Sequence, residues 1–245
     1  MLPFLHTFFH NETNDKSEKG MICVPKDRSS WPASWKTIEY KKYNLFKSIP
    51  LTKTEGKVFD ILHFRQTTFD SNTPLTLDTL SYILKCGYGL QNDIDTKNHR
   101  KENRTVPSAG QRYPLEIYLF MFSSGEKYSS GVYHYGVREH ALEPVFFSTF
   151  SGETISTFSL EEKVTKNAKG MICITSVFNR TVEKYGSRGY RYILLEAGHV
   201  AQNIILAGTE KGLHFVPVGG CHEENIEAFL GLGSQHERAV YTLFF

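Results

Sequence analysis

Residues 190–211 constrain the fold more than any other stretch of the chain. Ile193, Leu194, Ala197, Val200, Ala201, Ile204, Ile205 and Ala207 recur there at helical spacing and cover a wide apolar face. Gly212 follows as a stop. A helix this long and this apolar has to be buried, so the remaining elements must be arranged around it.

Those elements can be read in turn. The run 115–122 is almost continuously apolar and aromatic, as is 171–178, and both read as buried strands. Residues 131–135 and 140–147 form a hairpin around Gly136-Val-Arg-Glu139. A short strand is expected at 213–217 and a final one at 239–245. Helices are expected at 57–64 and 224–230. Another starts behind an N-cap at Thr76, with Asp78 and Thr79 in its first turn, and ends at Gly87 and Gly89. Residues 91–106 are polar, without periodicity, and read as a long loop. The pattern predicts one α+β domain at 51–245, with a mostly antiparallel sheet flanked by helices around a long hydrophobic central helix. Residues 1–50 are expected to be an irregular N-terminal extension, with Trp31-Pro-Ala-Ser-Trp35 anchoring it to the main body.

Composition narrows the function classes. A net charge of +2 and no basic run argue against nucleic acid as the main partner. No apolar run is long enough for a membrane span, and the short apolar N-terminus has no basic start, so no signal peptide is expected. Cys23, Cys86, Cys173 and Cys221 are widely spaced without a C-x-x-C, which suits reduced thiols in the cytoplasm. The 18 Phe and 13 Tyr are enough to fill a core or to line an apolar pocket.

Several short segments could carry chemistry. In Pro107-Ser-Ala-Gly-Gln-Arg-Tyr-Pro114, small residues between two prolines would let a flat ligand approach the backbone, with a hydroxyl on Ser108 and an amide on Gln111. An ordinary turn explains the same residues. Pro217-Val-Gly-Gly220 is a second close-approach site, equally readable as a tight turn before a helix. Lys184-Tyr185 can act as base and acid in a partly dry pocket, or be a solvated pair. Glu196, His199 and Asn203 share a helix face. No second Glu-x-x-His helix accompanies them, so they read as a polar seam in a helix pair or dimer interface rather than metal ligands. Arg65-Gln-Thr-Thr68 offers a cation and hydroxyls to a phosphate. The familiar phosphate-binding and hydrolase motifs are absent.

In order along the chain, these blocks resemble the SagB-type azoline dehydrogenases of the nitroreductase superfamily. The resemblance starts at His10-Asn-Glu-Thr13 and Trp31-Pro32 and continues through Pro74-Leu-Thr-Leu-Asp-Thr-Leu80. It then takes in Arg104-Thr-Val-Pro-Ser-Ala-Gly110 through Tyr118, then Lys184-Tyr185, Glu196-Ala-Gly-His-Val-Ala-Gln-Asn203 and Pro217-Val-Gly-Gly220. It implies a nitroreductase-like fold and an FMN-binding homodimer with the flavin between subunits. By the same resemblance, Arg65 and Thr67 hold the flavin phosphate, and Pro107, Ser108, Ala109, Gly110 and Gln111 lie against the ring. Val218, Gly219 and Gly220 approach its reactive edge, and Lys184 and Tyr185 are the catalytic pair. The implied reaction oxidises thiazoline or oxazoline to thiazole or oxazole in a ribosomally made precursor peptide, in complex with a cyclodehydratase. One departure stands out: the superfamily's second arginine is replaced here by Thr67, Thr68, Phe69 and Asp70, which leaves Arg104 and Arg112 to supply the charge. Two alternatives stay open, a general NAD(P)H-dependent flavin reductase of nitro compounds or quinones, and a flavin-free, peptide-binding scaffold subunit.

Overall fold

The computed structural model describes residues 5–13, 27–36, 38, 40, 41, 49–52, 54–69, 73–91, 103–232 and 237–245. Its helices are α1 (Leu5–Thr13), α2 (Ala33–Lys36), α3 (Lys57–Phe64), α4 (Leu77–Tyr88), α5 (Gly152–Ser156), α6 (Glu162–Asn167), α7 (Asn179–Tyr185), α8 (Arg188–Glu210) and α9 (Glu223–Leu230). Its strands are β1 (Leu115–Met121), β2 (Gly131–Gly136), β3 (Ala141–Phe147), β4 (Gly170–Val177), β5 (Val216–Val218) and β6 (Glu237–Phe244). They form one sheet in the order β3-β2-β1-β4-β6-β5, and every neighbouring pair is antiparallel.

The sheet is covered on both faces, which explains the continuous apolar runs of its central strands β1 and β4. Side chains alternate between the faces. Ile117, Leu119, Ile172, Ile174 and Leu243 join Ile193, Ala197, Val200, Ala201 and Ile204 of α8 in one core. Phe120, Met171, Cys173 and Phe244 join Phe158, Ile226 and Leu230 in the other. The long helix is therefore central, as its sequence requires. It packs most extensively on α4.

Contact between α4 and α8 changes the reading of one glycine. Thr76 caps α4 as expected, accepting from the Thr79 amide at 3.1 Å. The helix does not stop at Gly87 but runs to Tyr88, with Gly89 beyond it. A Cβ on Gly87 would lie 2.5 Å from Cγ1 of the buried Ile204. Gly87 is thus a close-packing point between two helices, not a terminator.

Other differences follow from tertiary contacts that periodicity does not report. The leader is not irregular throughout, since residues 5–13 form α1. Its His10 is buried against Phe178 and Tyr190, with Nδ1 3.0 Å from the Tyr190 hydroxyl. Burial, aided by Arg238, pushes the His10 imidazole down to about 4. Trp31 and Trp35 meet each other edge-on, and Trp35 stays 44% exposed. The strand expected at 213–217 pairs only over Val216–Val218. The reading of 91–106 falls mostly outside the described residues. Its two ends pair, Gln91 N to Asn103 O at 2.9 Å and Thr105 N to Gly89 O at 3.0 Å.

Replacing Gly87 by valine should lower unfolding stability by about 1–3 kcal/mol, because Ile204 is fully buried and has nowhere to move. A urea titration measures this; a midpoint equal to wild type would mean that the helix pair is loosely packed.

Candidate active site

Chain topology brings the start of β1 and the end of β4 to the same edge of the sheet, since Leu115 pairs with Ser176. The turn before β1 holds Pro107 to Gln111; the helix after β4, α7, ends in Lys184 and Tyr185. The two segments meet at Gly110. A Cβ there would lie 2.5 Å from Tyr185 Oη and 2.7 Å from Lys184 Nζ. The glycine has φ +61°, a conformation that other residues adopt at a cost. The amine and the phenol thus stand over a backbone with no side chain.

The turn is strained and firmly held. Gln111 (φ +54°) and Tyr113 (φ +44°) also lie in the left-handed region, where non-glycine residues are uncommon and cluster at functional sites. Ser108 restrains them: its hydroxyl accepts from the Tyr113 amide at 2.9 Å and its carbonyl from the Gln111 amide at 3.0 Å. The Gln111 side chain donates to Asn103 Oδ1 at 2.8 Å, and the Arg104 amide donates to the Tyr113 hydroxyl at 3.2 Å.

Helix α7 is fixed to the same turn. Arg180 forms an ion pair with Glu116 of β1 and donates to the Tyr113 carbonyl at 3.3 Å. Arg112 Nε donates to the Arg180 carbonyl at 2.6 Å. Glu116 also holds His134 at 3.0 Å, and Glu143 holds the other ring nitrogen at 2.7 Å. Burial opposes the Glu116 charge, but His134 and Arg180 outweigh it and hold the carboxyl below its ordinary value. The His134 imidazole is raised in turn, mainly by Glu116. Tyr185 meets Tyr192 of α8 edge-on, with ring centroids 5.2 Å apart.

Behind the turn lies a buried polar cluster. Glu196 of α8 is 3% exposed and accepts from the Tyr88 hydroxyl at 3.0 Å. The Ser108 hydroxyl and the Arg104 guanidinium act on the same carboxyl. Arg104 lies over the rings of Tyr88 (4.3 Å) and Tyr113 (4.8 Å), a cation–π arrangement. Its Nε and Nη1 are hidden from solvent and have no hydrogen-bond partner among the described residues. Burial pushes Glu196 up to about 7, against the opposing pull of Ser108, Tyr88 and Arg104. The helix-face seam of Glu196, His199 and Asn203 is therefore split. Glu196 points inward, His199 is exposed, and Asn203 donates to the Cys86 and Thr105 carbonyls at 3.4 Å.

The remaining expected residues lie elsewhere in the fold. Arg65 follows α3 and donates to the Thr67 hydroxyl at 3.2 Å on the surface. Val218 ends β5, the edge strand, with β6 and β4 between it and β1. Three strand spacings make that separation roughly 14 Å across the sheet. Gly219 has open space where a Cβ would sit, and the Gly220 carbonyl accepts from the Leu160 amide at 3.0 Å. Arg104, looked to for a missing phosphate ligand, is turned inward. Tyr113 lies in the segment singled out from the sequence, whereas Tyr88, Glu116 and Arg180 join the site only through the fold. Among the described residues there is no cluster able to hold a metal ion and no helix long and apolar enough to cross a membrane, and Cys86, Cys173 and Cys221 form no disulfide.

A six-stranded antiparallel sheet crossed by a long helix, with a glycine turn at its edge, places the molecule in the nitroreductase-like fold class. The chain belongs to the nitroreductase family, whose model matches residues 66–245. A nitroreductase-family protein of Methanocaldococcus jannaschii is 34% identical over 177 residues, 72% of this chain and 85% of that one. The trifolitoxin-processing protein TfxB of Rhizobium leguminosarum is 27% identical over 205 residues, 81% of this chain but only 54% of TfxB. The family match bears out the resemblance to the nitroreductase superfamily. Among solved structures, the Escherichia coli microcin synthetase McbBCD complex with truncated pro-MccB17 bound matches with TM-score 0.72 at 21% identity, over 97% of this chain and 90% of that one. A nitroreductase-type structure from Desulfovibrio desulfuricans, solved with FMN, matches with TM-score 0.52 at 12% identity, over 78% of this chain and 86% of that one. At these identities the likeness is one of fold.

The Glu196 carboxyl makes a prediction about stability. Its folded value of about 7 lies above the ordinary 4.5, so the folded protein binds this proton more tightly than the unfolded chain does. The resulting stabilisation is fully present below about 4.5 and is lost as pH rises through about 7. Glu196→Gln should remove that component, flattening the pH dependence of the urea midpoint across this window. Parallel curves for the two proteins would show that the group does not titrate there.

Proposed function

We propose that this protein is an FMN-dependent dehydrogenase that oxidises thiazoline or oxazoline rings to thiazoles or oxazoles in a ribosomally made peptide. The observation that carries the reading is the convergence of Lys184 Nζ and Tyr185 Oη on Gly110, in a nitroreductase-family fold. A side-chain-free, left-handed backbone with two proton-transferring groups set against it is suited to a flat ring beside them. Pro107, Ser108, Ala109, Gly110 and Gln111 would lie against the isoalloxazine. Arg65 and Thr67, a paired cation and hydroxyl, suit the phosphate, and Val218, Gly219 and Gly220 the ring edge, where Gly219 leaves open space. Because β5 lies three strands from β1, these groups are best joined across two copies of the chain. The exposed apolar side chains of α3, Val58 (69%) and Phe64 (65%) among them, with Leu194 and Leu195 of α8, offer a surface for such a homodimer.

When bound, FMN supplies the two-electron acceptor for the oxidation. The chain's own part is placement and proton transfer. Conversion of an azoline to an azole removes one hydride equivalent and one proton. The proton leaving the ring carbon is received at Tyr185 Oη or Lys184 Nζ. Arg180 and its contacts to Glu116 and Tyr113 hold the helix that presents both groups. The wider setting that fits is the cytoplasm, in a complex with a cyclodehydratase that makes the azoline.

Purified protein supplied with FMN and an azoline peptide should produce a loss of two mass units. Lys184→Ala and Tyr185→Phe should each slow it by roughly 10²- to 10⁴-fold. Unchanged rates in both variants would remove the roles assigned here. The archaeal relative favours a second reading, a general NAD(P)H-dependent reductase. Rapid flavin bleaching by NADPH without peptide, and no reaction with azoline, would select it.

A further inference from the structure

Among the described residues, Glu196 is the one buried carboxyl behind the glycine turn that the proposed chemistry leaves without a task. Tyr88 meets it directly, and Ser108 and Arg104 lie close enough to favour its charged form, each tied to a different part of the site. Tyr88, from α4, donates to its Oε1 and accepts from the amide of Leu115, the first residue of β1. The Ser108 hydroxyl, within the turn, holds the strained Tyr113 amide. The Arg104 guanidinium, between the Tyr88 and Tyr113 rings, has two buried donors without partners among the described residues. On α8 itself, Tyr192 lies one turn earlier and His199 faces outward. Burial disfavours the carboxylate while the adjacent guanidinium favours it, so small changes in local charge decide which form is present. Burial also keeps Tyr88 protonated, its phenol being pushed well above 10, so it remains a donor to Glu196.

We propose that Glu196 is a positioning residue through which the flavin-side turn takes up a proton from solvent when the site gains negative charge, and releases it when that charge leaves. The proposal rests on the FMN reading above. Two electrons arrive from the substrate; the proton comes from water and is bound by the Glu196 carboxylate. Its former attraction for Arg104 is thereby released toward the new negative charge beside the turn. Ser108 links the two, its side chain close enough to favour the charged carboxyl and its backbone lying two residues from Gly110. Passage of the two electrons to dioxygen, which is reduced to hydrogen peroxide, reverses the exchange, so no net proton is consumed by this group.

The test is the two-electron midpoint potential of the FMN-loaded full chain, measured by dye equilibration at pH values on both sides of about 7. In wild type the slope should steepen in this window by one proton per two electrons, ~30 mV per pH unit. Glu196→Gln should lack the extra slope. Tyr88→Phe removes a donor to the ionised form, so it should keep the extra slope and move its window to higher pH. A purely structural role would leave the slope unchanged in both variants. If Glu196→Gln does not fold, an unmoved window in Tyr88→Phe overturns the proposal by itself. Wild type that oxidises azoline but shows the same slope as Glu196→Gln overturns this inference and leaves the reaction assignment standing. Wild type that takes up no FMN overturns both.

Discussion

The structure depends on burying one helix against small residues. Helix α8 can lie across the sheet only because Ala197 and Ala201 face the strands and Gly87 of α4 gives way to Ile204. Gly208 does the same near the far end, where a Cβ would fall 2.5 Å from the Phe215 ring. Close packing of this kind leaves little slack, and a side chain added at either glycine must displace a filled neighbour. The same rigid pair carries Tyr88 on one helix and Glu196 on the other, so the packing also sets the floor of the site.

On that floor sits a turn that would not hold its shape alone. Three left-handed residues within four positions are costly, and the cost is met by bonds from Ser108, Asn103 and Arg104. At Gly110 the missing side chain leaves room for Tyr185 Oη and Lys184 Nζ, which lie 2.5 and 2.7 Å from where a Cβ would sit. Across it, Arg180 and Glu116 fix the helix that brings the lysine and tyrosine into place. Function in this account comes from two short segments, distant in sequence, that the adjacent strands β1 and β4 place side by side.

Much of the fold was legible because period and length are strong signals. The apolar face of α8, the continuous runs of β1 and β4 and the Thr76 cap all appear in the structure close to where the sequence puts them. Helices α5, α6 and α7 were not legible; each is under two full turns and is stabilised by what it packs on rather than by its own pattern. At the site, the Pro107–Gly110 motif and Lys184-Tyr185 could be picked out as candidates, but not their meeting, which is a property of strand order. Glu196 was visible as part of a helix face but gave no sign of its burial beside Ser108. Arg104 was read as a source of the charge that a missing arginine would supply, and its place between two aromatic rings depends on Tyr88 and Tyr113, which only the fold brings together.

The proposed reaction requires a flat redox ring seated at Gly110. A crystal structure of the protein grown with FMN measures this directly. The expected result is isoalloxazine density against Ser108, Ala109 and Gly110, on the side facing Tyr185 Oη and Lys184 Nζ, with Gly219 and Gly220 of a second copy closing the ring edge. Flavin bound away from Gly110, or a site that stays empty at saturating FMN, would contradict it.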